Sequence, residues 1–110
     1  MARIVYAEEF SSDLERDITY LHRLHELGWI RTLMEDLTEM ESLLEHFPRA
    51  GHELARQGTA ALLRLRMRRA PYYVWYSYDE ATGEDGPATF LRLFHTKQQT
   101  AEPRLPPEHP

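Results

Sequence analysis

The stretch Leu63-Arg64-Leu65-Arg66-Met67-Arg68-Arg69-Ala70-Pro71-Tyr72-Tyr73-Val74-Trp75-Tyr76 decides the architecture. Its first half alternates apolar residues with arginine, the period of two that belongs to a strand with one face on a core. Pro71 interrupts the run, because proline has no N–H to give to a sheet ladder. From Tyr72 to Asp79 the chain resumes with Tyr, Val and Trp, residues that fit a pleated, half-buried surface. Turn-forming Gly83, Asp85, Gly86 and Pro87 lead into a further strand, Ala88 to His95. From Thr59 onward the sequence therefore predicts a three-stranded antiparallel meander.

Upstream the period changes. Phe10, Leu14, Ile18, Leu21 and Leu24 recur at three- and four-residue steps, the apolar face of a helix, with Ser12 and Glu15 spaced as a capping box. Gly28 interrupts the pattern, and Ile30, Leu33, Leu37, Met40, Leu44 and Phe47 start a second one that Pro48 ends. Its polar face carries Glu35, Asp36, Glu39, Glu41 and Glu45, so an acidic outer surface is expected. A short joint at Gly28 makes the two helices an antiparallel hairpin. Arg3 to Ala7 reads as a short strand. The expected fold class is α+β: an N-terminal strand, the helical hairpin, then the meander, forming one small sheet covered by two helices. The domain spans 1–97, and a flexible proline-rich tail, with Pro103, Pro106, Pro107 and Pro110, spans 98–110.

The 110 residues suit one domain, and 42% hydrophobic with 28% charged residues is an ordinary globular composition. Zero cysteines exclude a disulfide scaffold, a thiolate metal site and a cysteine nucleophile. With no apolar stretch near the roughly 20 residues that span a bilayer, and no signal-peptide pattern, the cytoplasm is the expected compartment and no membrane partner is expected.

Charge is unevenly spread beneath the net value of −5. Residues 1–47 hold four Arg against eleven Asp and Glu, whereas residues 48–78 hold six Arg against Glu53 alone. The basic segment can meet an acidic partner, or the acidic helices and basic strands can neutralise one another within the fold. Alternation places Arg64, Arg66 and Arg68 together on the face opposite Leu63, Leu65 and Met67. That stripe is either a functional surface or a solvated strand face that discourages edge pairing. His95 is the one strong base candidate, though a strand-end histidine is commonly structural. His22, His25 and Glu26 are too few for a metal site, and neither metal nor cofactor is expected. The cluster Tyr72, Tyr73, Trp75, Tyr76 and Tyr78 reads as core and sheet surface before it reads as a base-stacking platform.

Three runs resemble a known family: Leu63-Arg64-Leu65-Arg66, Pro71-Tyr72-Tyr73-Val74-Trp75-Tyr76 and Leu91-Arg92-Leu93-Phe94-His95-Thr96-Lys97-Gln98. Together with Pro48-Arg49-Ala50-Gly51-His52-Glu53-Leu54, and the pairs Asp13-Leu14 and Tyr20-Leu21, they resemble the RelE/ParE superfamily of toxins from bacterial type II toxin-antitoxin modules. The likeness covers about residues 3 to 98 and is closer to ParE, through the ending Phe94 to Gln98 and the absence of lysine from the basic segment. It implies a toxin neutralised by a cognate antitoxin, with two mechanisms available on one fold. ParE-like members inhibit DNA gyrase by binding; RelE-like members cut messenger RNA on the ribosome. The ParE-like reading gives Arg64, Arg66, Arg68, Arg92 and His95 as the target-binding set and favours no catalytic residue. Under the ribonuclease alternative His95, Arg64 and Arg92 would carry the chemistry. A further alternative is an inactive member that binds only the antitoxin. The antitoxin is expected in a groove between hairpin and sheet bordered by Trp29, Leu33 and Leu37, anchors at the spacing an incoming helix requires.

Overall fold

A computed structural model describes residues 1–83 and 85–98. The chain runs β1 (Arg3–Tyr6), α1 (Glu8–Arg23), α2 (Leu27–His46), β2 (His52–Gln57), β3 (Ala60–Arg66), β4 (Tyr72–Asp79) and β5 (Pro87–His95), with single 3-10 turns at Glu80–Thr82 and Thr96–Gln98. The five strands form one sheet in the order β1-β5-β4-β3-β2, in which β1 is parallel to β5 and every other pair is antiparallel. The architecture is α+β as expected, with one addition. The meander has four strands rather than three, because His52–Gln57, ahead of the expected start at Thr59, pairs with β3 across a turn where Gly58 takes φ 64°.

Both helices pack on one face of this sheet. Phe10 from α1 and Leu33, Leu37, Met40 and Leu44 from α2 share a core with Ala61, Leu63, Val74, Tyr76, Phe90 and Leu93. Helix α1 starts at Glu8 with no side-chain cap, so Ser12 and Glu15 lie inside the helix rather than at its end. Glu8 and Glu9 in the first turn and His22 and Arg23 in the last complement the helix dipole instead. The hairpin turns through His25, a non-glycine residue at φ 58°, so His22 and His25 do not share a helical turn. Phe47, before Pro48, leaves the helical region (φ −133°, ψ 72°) and closes α2.

Asp36 departs from the acidic outer surface expected of α2. It is 2% exposed and faces the β3–β4 connection, where its carboxylate accepts the N–H groups of Arg69 (2.7 Å) and Ala70 (2.6 Å) and Nε of Arg69 (3.0 Å). Burial alone would raise its pKa, but these donors outweigh it and hold the carboxyl below its ordinary range. A second buried tether joins Tyr76 to the segment after α2: its hydroxyl donates to the carbonyl of Pro48 and accepts from Gly51 N–H, both at 2.9 Å. A side chain at Gly51 would place Cβ 2.8 Å from that hydroxyl and 2.9 Å from the Arg64 carbonyl, so only glycine fits. The tail expected over 98–110 lies, Gln98 apart, outside the described residues. No helix among the described residues is long and apolar enough to cross a membrane.

Candidate functional site

The sheet face away from the helices carries arginines and aromatic rings in register. Arg64 on β3 pairs with Trp75 on β4, which pairs with Arg92 on β5; in the next row Arg66, Tyr73 and Phe94 stand side by side. The Arg64 guanidinium lies 4.7 Å over the Tyr73 ring and that of Arg92 lies 5.0 Å over Phe94. Trp75 meets Phe94 edge to face at 5.1 Å and is buried, yet stands outside the core cluster.

A bulge in β5 puts Arg92 on this face. The β4–β5 register shifts between Trp75 and Tyr76, whose partners are Arg92 and Phe90, leaving Leu91 as the extra residue. Ahead of the bulge Ala88 and Phe90 point to the helices; after it Leu93 and His95 do, and Arg92 and Phe94 point away. Strand β1 pairs with β5 only as far as Phe90, so the edge of β5 beyond that point is open to α1. There Asp13, 4% exposed, takes the place of a neighbouring strand. Its carboxylate accepts Leu93 N–H (2.9 Å) and grips Arg92 through Nε (2.7 Å) and Nη2 (3.2 Å), with Nη1 of Arg16 at 3.4 Å. Arg92 is thus fixed by a carboxylate at its edge and a ring at its face.

The sequence-predicted residues separate. Arg64, Arg66 and Arg92 come together on the outer face. Arg68 leaves the expected stripe, because β3 ends at Arg66 and Asp36 draws the following turn toward α2; Arg68 pairs with Glu39 at 2.8 Å. His95 lies on the helix-facing side, edge to face with Tyr72 at 5.1 Å, its Nδ1 accepting the Lys97 N–H at 3.0 Å. Near it, burial pushes the Asp17 carboxyl above its ordinary range against the opposing pull of Arg16 and His95, and burial pushes Tyr72 up to about 12. Of the antitoxin set, Leu33 and Leu37 are core residues at 0% and 2% exposure, and Trp29 alone reaches the surface. Tyr20, Leu24 and Leu27, also around the α1–α2 connection, are exposed as well. No group of three or more His, Cys, Asp or Glu among the described residues is arranged to hold a metal ion. Asp13, Asp36 and the bulge were missed in the sequence; the available signal for Asp36 was an acid directly beside Leu37 on an otherwise apolar stripe.

These features define a small α+β domain with a helical hairpin on one face of a mostly antiparallel sheet and an arginine-aromatic array on the other. The same fold occurs in a solved structure of the "Chromosomal ParDE TA system from P. aeruginosa", with a TM-score of 0.62, 14% sequence identity, and coverage of 86% of this chain and 96% of that one. No protein-family model matches the sequence, and neither does any curated protein.

Proposed function

We propose that the protein is a ParE-like toxin of a toxin-antitoxin pair, one that inhibits DNA gyrase by binding and is neutralised by a cognate antitoxin. The fold shared with a ParDE-system chain and the sequence resemblance to ParE-like toxins support the family reading. The observation that carries binding over turnover is the split of the residues a ribonuclease would combine. Arg64 and Arg92 lie on the outer face of the sheet, while His95 follows Phe94 onto the helix-facing side. A general base and the cations that stabilise a developing phosphorane must converge within a few ångströms of one phosphate.

The target-binding surface is the outer face with Arg64, Arg66 and Arg92. The antitoxin is best received at the hairpin end around Trp29, where four apolar side chains are exposed. Growth arrest in cells expressing the chain tests the reading. Arrest should be relieved by Arg64→Gln with Arg66→Gln and unaffected by His95→Ala; arrest that depends on His95 and ignores both arginines would refute it.

A further inference from the structure

We infer that the arginine-aromatic face docks an acidic, extended segment of a protein partner, carboxylates at alternate positions meeting Arg64 and Arg66. This deepens the binding reading above and rests on it for the choice of face.

The composition of the face points to a protein. Arg64, Arg66, Arg92, Tyr73, Trp75 and Phe94 are the residue types enriched in protein interfaces and their hot spots, whereas Lys, which interfaces deplete, is missing from the face. A nucleic acid fits poorly. The chain has a sequence pI near 5.6, and its basic segment forms no broad positive surface because most of it is neutralised in place. Arg49 and Arg56 pair with Glu80, Arg56 also with Glu53, Arg68 with Glu39, and Arg69 with Glu35 and Asp36. Among the described residues no carboxylate lies within ion-pair distance of Arg64 or Arg66. The ring faces that bases would stack on are also occupied, Tyr73 by Arg64 and Phe94 by Arg92.

What remains is a pair of guanidiniums two residues apart on one strand, a spacing of about 7 Å along β3. Alternate side chains of an extended peptide repeat at the same interval, so an acidic residue at every second position meets each guanidinium in turn. Stacking on Tyr73 restrains Arg64 before the partner arrives, which lowers the ordering cost of binding.

The test is an NMR titration of the full chain with a capped peptide alternating glutamate and serine, beside an oligothymidylate of equal charge. The peptide should shift the amides of Arg64, Arg66 and Tyr73 and the Trp75 indole saturably. Affinity should fall at least about tenfold in the Arg64→Gln, Arg66→Gln double variant with its unfolding temperature unchanged. Arg66→Gln alone, at an exposed position, serves if the double variant is unstable. Absence of saturation, shifts confined to other surfaces, unchanged affinity in the folded variants, or tighter binding of the oligothymidylate would overturn the inference. Because the probe is a peptide, failure here leaves gyrase inhibition to its own assay, and a chain inactive on gyrase can still show the site.

Discussion

Replacing Asp13 by alanine should cost about 3 kcal/mol of stability and release Arg92 from the outer face. The larger part of that figure comes from the backbone: Leu93 N–H donates to the Asp13 carboxylate at 2.9 Å in a buried setting, and an unpaired buried donor costs about 1–3 kcal/mol. The ion pair adds less. The Arg92 side chain is 30% exposed, so water screens its loss and its share is about 1 kcal/mol. Asp13→Asn separates the two contributions, since its amide oxygen still accepts from Leu93 while the charge on Arg92 is unmatched; it should cost about 1 kcal/mol. Urea unfolding of the single variants, and of Asp13→Asn combined with Arg92→Ala, gives the coupling directly, expected at about 1 kcal/mol. A gyrase titration of Asp13→Asn should show weaker binding, an effect that disappears once Arg92 is alanine. If Asp13→Ala lay within about 0.5 kcal/mol of wild type, the carboxylate would not be the substitute for a strand described above.

Three further outcomes are expected. Gly51→Ala should destabilise by about 1–3 kcal/mol, read as a lower urea midpoint, because the new methyl meets the Tyr76 hydroxyl and the Arg64 carbonyl at under 3.0 Å. Asp36→Asn should cost about 1–2 kcal/mol at neutral pH. Since the folded pKa is lowered, that difference should be complete above the unfolded carboxyl value of about 3.9 and vanish as pH falls through the lower folded value, seen in urea melts across the acid range. Trp29→Ala should weaken antitoxin binding by at least about 1 kcal/mol by calorimetry with the fold intact, as the residue is 44% exposed at the hairpin end.

The sequence made the fold class legible wherever one period ran without interruption. Leu33, Leu37, Met40 and Leu44 recur at helical steps, and Leu63 to Arg66 alternate, and both patterns have the same cause in the structure: one side faces the core. Strand β2 was not legible because a register irregularity between Glu53 and Ala55 removes its alternation and Glu53 and Arg56 pair with each other rather than with a core. The site was legible in part. Alternation placed Arg64 and Arg66, but it extrapolated to Arg68 beyond the end of β3, where a buried carboxylate 32 residues earlier in the chain bends the backbone. The sides taken by Arg92 and His95 depend on one extra residue at Leu91, which no side-chain pattern encodes. Asp13 and Asp36 act through backbone N–H groups of distant residues, and such partnerships appear only once the sheet edge and the turn are in place.

The most direct test of gyrase inhibition by binding is a supercoiling assay with the purified chain, run beside a ribosome translation assay on the same preparation. The protein should block supercoiling, Arg64→Gln with Arg66→Gln should relieve the block, and ribosome-bound messenger RNA should stay intact. Undiminished supercoiling together with codon-specific cuts in the messenger RNA, abolished by His95→Ala, would contradict it.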